Sequence, residues 1–465
     1  MLRAMDCFAP RATPATIKIQ PVSVKEFKSW VKTQPKRVGA WVSNTGFKAK
    51  SGATALLRKA DGRLDRVIHI IDNRASLWGF ARLPRVLPKG RYILDPKMSD
   101  GMGDAAALGW ALASYSYTRY KSKPVKRKVQ LVWPEDADRG RVVATATAIY
   151  QGRDLINAPA EDCGPDEIAA AVTALAKQHG GKATVIKGDA LLKKNYPAIH
   201  AVGRAATRAP ILADLTWGDP KHPKLTLVGK GVVFDSGGLD IKSAAGMRLM
   251  KKDMGGAASV IALASMIMEL ELPVRLRLLV PSVENAVAGN AYRPGDILST
   301  RKGLTVEVGN TDAEGRIILC DALAEAAADK PDLIIDMATL TGAARVALGA
   351  EVPVLFCNDD DVAGALADAS DHLSEPDPMW RLPLHRPYRR FLDSHIADIN
   401  NISSTRYGGA ITAALFLREF VGKNRWVHID TMGYNESTRA GRPKGGEVLG
   451  VRTLYRMLAR RYGGQ

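Results

Sequence analysis

Two short stretches of the chain carry side chains whose types and spacing could do chemistry. Residues 228–253, VGKGVVFDSGGLDIKSAAGMRLMKKD, hold Lys230, Asp235, Lys242 and Asp253. Residues 310–316, NTDAEGR, add Asp312, Glu314 and Arg316. Four carboxylates left to themselves would repel, and some would stay protonated. Two divalent cations would balance their charge, and paired cations about 3.5–4 Å apart are a known solution for hydrolysis. Neither stretch contains His or Cys, which favours harder ions such as Mn or Mg, although Zn also accepts carboxylates. Lys230 could ligate a metal only as the neutral amine. The plainer alternative is an ordinary Lys230–Asp235 ion pair, with Asp312 a turn residue and Arg316 a surface arginine at a helix start.

These residues need particular elements beneath them. Lys230 and Asp235 are an odd number apart and would face opposite ways on an ideal strand, so the strand must end or bend between them. Ser236-Gly237-Gly238 suits a sharp loop. Asp312 and Glu314, at i and i+2, would point the same way on an extended segment. The run IILCDALAEAAAD after Arg316 has helical spacing, so a strand end would feed a helix start here, a common place for chemistry in an open α/β sheet.

The segments VGKGVVFDSGG, SAAGMRLMKKDMGGAA and NTDAEGRIILCDAL resemble the signatures of the leucyl aminopeptidase family, the cytosolic two-metal M17 aminopeptidases. The resemblance spans roughly residues 150–460. It implies a metalloexopeptidase that removes the N-terminal residue of peptides with a free N-terminus, by metal-bound hydroxide at a two-metal centre. It implies Lys230, Asp235, Asp253, Asp312 and Glu314 as metal ligands, with Asp235 and Glu314 bridging. Mn or Zn would fill the sites, with Mg and Co as alternatives. Lys242 and Arg316 match the catalytic residues that do not ligate metal: Lys242 would polarise the scissile carbonyl, and Arg316 would hold a bicarbonate that takes the water's proton. The backbone of Ala313, Gly315 and Leu340 matches the rest of that bicarbonate cradle. MATLTGAAR at 337–345 resembles the substrate segment, so Thr339 and Gly342, with Met250, would line the pocket for the first side chain; a core position is the alternative for Met250. The resemblance also implies a homohexamer. Asp240, Arg248 and Lys252 depart from the family pattern and bear on substrate preference rather than on metal binding.

Length and charge frame this reading. A chain of 465 residues exceeds a single core and suggests two domains. Residues 1–150 hold 28 Lys+Arg against 11 Asp+Glu, a charge of +17, leaving 38 against 37, or +1, for the remainder. That asymmetry argues for a boundary near 150: a basic, non-catalytic α/β domain over 1–150 and the catalytic domain over 151–465. It also raises accessory DNA binding through the basic part, densest at KSKPVKRK, 121–128, although no helix-turn-helix, zinc-finger or RNA-recognition signature is visible. A solvated or oligomer-packed basic face is the plain alternative. Cys7, Cys163, Cys320 and Cys357 form no CxxC, so zinc-finger and disulfide-scaffold readings fail and a reducing cytoplasm is expected. No apolar run fits a signal peptide or a membrane span. None of the eight histidines pairs at HExxH spacing, and GKG at 229–231 lacks the rest of a phosphate loop. A two-metal phosphoesterase is the competing enzyme class.

In residues 17–95 the pattern predicts short strands and turns with one small helix near 24–31. ALLRKADGRLDRVIHIID reads as a hairpin turning at Asp61-Gly62. GDAAALGWALASYSYTRY reads as a helix. Residues 140–178 read as helical, broken at NAPAEDCGP, with Pro165 in the next helix's first turn. Beyond it, short β-rich runs (KATVIKG, LTLVGKGVVF, VRLRLLVPSV, LTVEVGN, DLIIDMA, VPVLF, WVHID) alternate with helical ones (GGAASVIALASMIMEL, AITAALFLREFV, GVRTLYRMLARRY). This alternation predicts an α/β fold with a mostly parallel sheet flanked by helices.

Overall fold

A computed structural model describes residues 4–72, 76–95, 101–123, 128–372 and 375–464. The chain divides into two compact units. One comprises Met1–Tyr150, His372–Pro376 and Ser437–Lys444; the other comprises Gln151–Asp371, Asp377–Glu436 and Gly445–Gln465.

The first unit carries a six-stranded sheet in the order Phe8–Ala9, Val129–Val132, Gly90–Leu94, Ile17–Ser23, Leu64–Ile71, Thr54–Arg58. Its pairings are parallel except the last, where Thr54–Arg58 and Leu64–Ile71 form the expected hairpin. The single helix expected near 24–31 is a pair, Phe27–Lys32 and Lys36–Thr45, the second ending at Gly46 in the left-handed conformation (φ 61°). The helix expected over 103–120 stops at Ser114. Residues 124–127 of the basic cluster lie outside the described residues.

The second unit is built on a nine-stranded sheet. Its spine is Trp380–Arg381, Val354–Cys357, Trp426–Asp430, Leu333–Ala338, Lys224–Gly229, Arg275–Asn285, Ile211–Trp217 and Lys182–Lys187, and Gly231–Asp235 adds to Arg275–Asn285. The central strands pair in parallel, and antiparallel pairs lie toward both ends. Strand periodicity gives the sheet two faces. Val228, Leu279 and Ile334 pack into one core with the helices Pro197–Gly203, Glu314–Ala328 and Gly409–Arg418. Gly229, pointing the other way, faces Val260 and Ala257 of the helix Gly255–Glu269. The expected α/β architecture with helices on both faces is therefore present. The break at NAPAEDCGP is also seen: one helix ends at Asn157, and the next begins at Pro165 as its first residue. The four cysteines are buried, and none forms a disulfide among the described residues. Among the described residues no helix is long and apolar enough to cross a membrane.

Close packing of the helix Gly255–Glu269 on the sheet explains the GG at its start. A Cβ on Gly256 would sit 2.1 Å from the carbonyl oxygen of Met337, which is backbone and cannot swing aside. Gly256→Ala is expected to lower stability by about 1–3 kcal/mol, read as a drop in Tm by calorimetry; an unchanged Tm would contradict this packing.

Candidate active site

The chain gathers its charged residues where strands end. The central strand stops at Gly229, and Lys230 continues into Gly231–Asp235, which pairs with Arg275–Asn285 and shifts register between Val232 and Phe234. This break and bulge supply the bend that the odd Lys230–Asp235 spacing requires. Beyond Asp235 the chain turns through Gly237 (φ 89°) and Gly238 (φ 67°), a backbone that side chains with a Cβ rarely adopt. Asp235 Oδ1 accepts from Gly237 N at 2.9 Å and from Asn285 Nδ2 at 2.8 Å, so its position is fixed from two elements.

The second stretch differs from the expected extended segment. Thr311–Ala313 is a turn of 3-10 helix, and Glu314 is the first residue of the helix Glu314–Ala328. The Asn310 side chain accepts from Asp312 N at 2.6 Å, and this local cap wins over extension. Three further contacts hold the turn. Asp240 Oδ2 accepts from Thr311 N at 2.7 Å, Tyr292 donates its hydroxyl to Thr311 O at 2.6 Å, and Asn401 Nδ2 donates to Asn310 O at 2.8 Å. Asp240, an extra carboxylate by sequence, is thus a clamp on this turn.

Folding brings Asp235, Asp312 and Glu314 into one group, each offering a carboxylate oxygen within 4.8 Å of the others. Asp253 joins through Lys230, whose Nζ lies 2.7 Å from Asp253 Oδ2 and 2.8 Å from Glu314 Oε1 and donates to Thr339 O at 3.0 Å. Lys242 Nζ lies 2.8 Å from Asp235 Oδ2 and also pairs with Asp312. The plain Lys230–Asp235 pair is not what forms; each lysine bridges a different pair of carboxylates.

Electrostatics follow from burial and crowding. Burial, then repulsion from Asp235, pushes Glu314 up to about 8 and Asp312 up to about 6. Burial opposes the Lys230 charge, but Asp253, Glu314 and Asp235 outweigh it and hold the amine above its ordinary value. The Asp253 carboxyl is held low: burial works against its charge, and Lys230, then Lys252, more than compensate. Lys252 is 2% exposed, and burial pushes it down to about 8. Burial also pulls Arg316 down to about 10. Its Nη1 donates to Asn401 O at 2.7 Å, while its buried Nε has no hydrogen-bond partner. Glu314 Oε2 is likewise buried and unpartnered. A site with a surplus of buried carboxylate oxygens and one open oxygen fits divalent cations.

Gly315 has a steric reason to be glycine. A Cβ there would come within 2.5 Å of Lys230 Cε and 2.7 Å of its Nζ. Leu340 N donates to Asp430 Oδ1 at 3.0 Å, and Thr341 Oγ1 donates to Asp430 Oδ2 at 2.6 Å. Thr339 is buried, with Oγ1 donating to Asp253 Oδ1 at 2.9 Å. Gly342 opens a short helix and is exposed, Met250 is half-buried, and Ala313 is half-buried in the Asp312 turn. The sequence reading missed Asn285, Tyr292, Asn401 and Asp430. For Asn285 and Asp430 the one signal is a polar residue closing an apolar strand, as in PSVEN and WVHID; Tyr292 and Asn401 carry none.

Residues 151–455 match the cytosol aminopeptidase family catalytic domain, and residues 17–134 match the M17 aminopeptidase N-terminal domain. The probable cytosol aminopeptidase of Rhodococcus jostii is 40% identical over 374 residues, 76% of this chain and 74% of that protein. The one of Streptomyces griseus is 40% identical over 376 residues, 80% of this chain and 70% of that protein. The crystal structure of cytosol aminopeptidase from Coxiella burnetii is 48% identical with a TM-score of 0.94, covering 98% of this chain and all of that one. The bottromycin maturation enzyme BotP in complex with Mn is 34% identical with a TM-score of 0.86, covering 96% of this chain and all of that one. The chain belongs to the M17 cytosol aminopeptidase family and is a metal-dependent aminopeptidase, a hydrolase acting on peptides.

Proposed function

We propose that the chain removes the N-terminal residue of peptides at a two-metal centre held by Lys230, Asp235, Asp253, Asp312 and Glu314. The observation that carries this reading is the crowding of Asp235, Asp312 and Glu314 within 4.8 Å, with Glu314 Oε2 buried and unpartnered. Bound there, two divalent ions would activate water and polarise the scissile carbonyl. The Mn in the BotP complex supports manganese, with Zn, Mg and Co as alternatives. Lys230 bridges Asp253 and Glu314 and sets their spacing. Lys242 is drawn onto Asp235 and Asp312. Once cations balance those carboxylates, its ammonium is free to donate to the carbonyl oxygen as charge develops. Arg316, with Nε open, would hold a bicarbonate that takes the proton from the attacking water. The backbone of Ala313, Gly315 and Leu340 would complete that cradle. Met250, Thr339 and Gly342 line the pocket for the first side chain.

The reading extends to a cytoplasmic homohexamer in which residues 1–150 form a non-catalytic domain and residues 151–465 the catalytic one. The +17 charge of the first 150 residues supports an accessory contact with DNA. Its signature would be affinity falling steeply with salt, and no binding at about 50 mM salt would remove it.

Asp253→Ala and Asp312→Ala should each lose at least one ion per chain and nearly all aminopeptidase activity while remaining folded. Elemental analysis checks this, and full metal content in both would overturn the ligand set. Lys242→Ala should keep both ions and lower kcat far more than it raises KM, because it removes a transition-state contact. Arg316→Ala should keep both ions and lose the response to bicarbonate added to carbonate-depleted buffer. Retained activation would put the anion elsewhere, and an emptied metal site in Lys242→Ala would refute the division of roles.

A further inference from the structure

Lys252 is buried at 2% exposure directly before Asp253, yet its ammonium makes no hydrogen bond among the described residues. Among the described residues the one carboxylate oxygen within ion-pair reach is Asp253 Oδ1, at 3.8 Å. That oxygen already accepts from Thr339 Oγ1, and the other oxygen of the same carboxylate lies 2.7 Å from Lys230. A buried charge without a close partner is costly and persists where something else balances it.

A second cation stands nearby. Arg345 is half-buried and close enough to oppose the charge of Lys252. Its Nη1 donates to Thr341 O at 3.0 Å, and it makes no ion pair among the described residues. Its Nη2 lies 3.6 Å from where a Gly342 side chain would begin. Asp430 is a second acidic group that acts on Lys252, and its oxygens accept from Leu340 N, Thr341 N and Thr341 Oγ1. Arg345 therefore borders Gly342, and Lys252 faces the same Asp253 oxygen that Thr339 binds; Thr339 and Gly342 are two of the residues assigned above to the first-side-chain pocket. Lys252 follows the third, Met250, by two positions on the same turn.

We propose that Lys252 and Arg345 form a cationic end to that pocket and select peptides that begin with Asp or Glu. This rests on the aminopeptidase reading and its pocket. An acidic side chain would give Arg345 a carboxylate partner and Lys252 a closer one than Asp253. An apolar side chain would leave Arg345 without one, and a lysine or arginine side chain would be repelled.

The test uses the full metal-loaded chain and 4-nitroanilides of Asp, Glu, Leu and Lys. The Asp or Glu substrate should exceed Leu in kcat/KM by about ten-fold or more, with Lys the poorest. Lys252→Met and Arg345→Met should each lower the acidic-to-Leu ratio by about ten-fold, mainly through KM, while Lys252→Arg retains it. Should Lys252→Met fail to fold, the half-buried Arg345 position decides. Leu cleaved as well as or better than both acidic substrates would overturn the proposal and leave the aminopeptidase reading standing. So would an unchanged ratio in the variants. Cleavage of none of the four would overturn both together.

Discussion

Like charges cannot share a buried cavity without counter-charge between them, and the second unit is arranged around that constraint. Asp235, Asp253 and Glu314 are almost wholly buried, and Asp312 sits at the rim of the same group. Two lysines answer them, Lys230 between Asp253 and Glu314 and Lys242 between Asp235 and Asp312. Two ammonium ions supply half of the charge that four carboxylates would need. The deficit appears physically as Glu314 and Asp312 being pushed toward their protonated forms. On the proposed function, a pair of divalent cations would remove the deficit and would leave Lys242 free for substrate. The same cavity can thus be stable before loading and reactive after it.

The backbone makes this crowding possible. Gly315 gives the Lys230 side chain room to pass. Gly237 and Gly238 turn the chain so that Asp235 and Lys242 return to one place. Asn285 ties the Asp235 loop to the Asp312 turn, donating to both Asp235 Oδ1 and Thr311 O. Asn401 holds the far side of that turn and accepts from Arg316 on its carbonyl. Asp235 and Arg316 are thereby held in part by backbone groups and neutral side chains, while the Asp240 carboxylate clamps the Asp312 turn.

Much of this was legible in the chain because the motif residues lie within two short stretches whose glycines announce tight backbone. The hairpin at Asp61-Gly62, the break before Pro165 and the alternation behind the central sheet were legible for similar local reasons. Tertiary contacts were not. Asp430 reaches Leu340 and Thr341 across about ninety residues of sequence, and no spacing rule links WVHID to MATLTGAAR. The extended reading of Asp312 and Glu314 failed because the Asn310 cap outcompetes a strand. The helix Lys36–Thr45 was hidden by its β-branched, aromatic and glycine content, which lowers helix propensity. Lys252 looked like loop charge, and only the fold shows it buried.

The central claim is that two cations replace ammonium and proton as the counter-charge for these carboxylates. A crystal of the Mn-loaded chain, with anomalous data at the manganese edge, tests it most directly when paired with proton release during Mn titration in weak buffer. The account predicts two anomalous peaks among Asp235, Asp253, Asp312 and Glu314, with protons released as they fill. A single peak, peaks away from these carboxylates, or two ions bound with no proton released would contradict it.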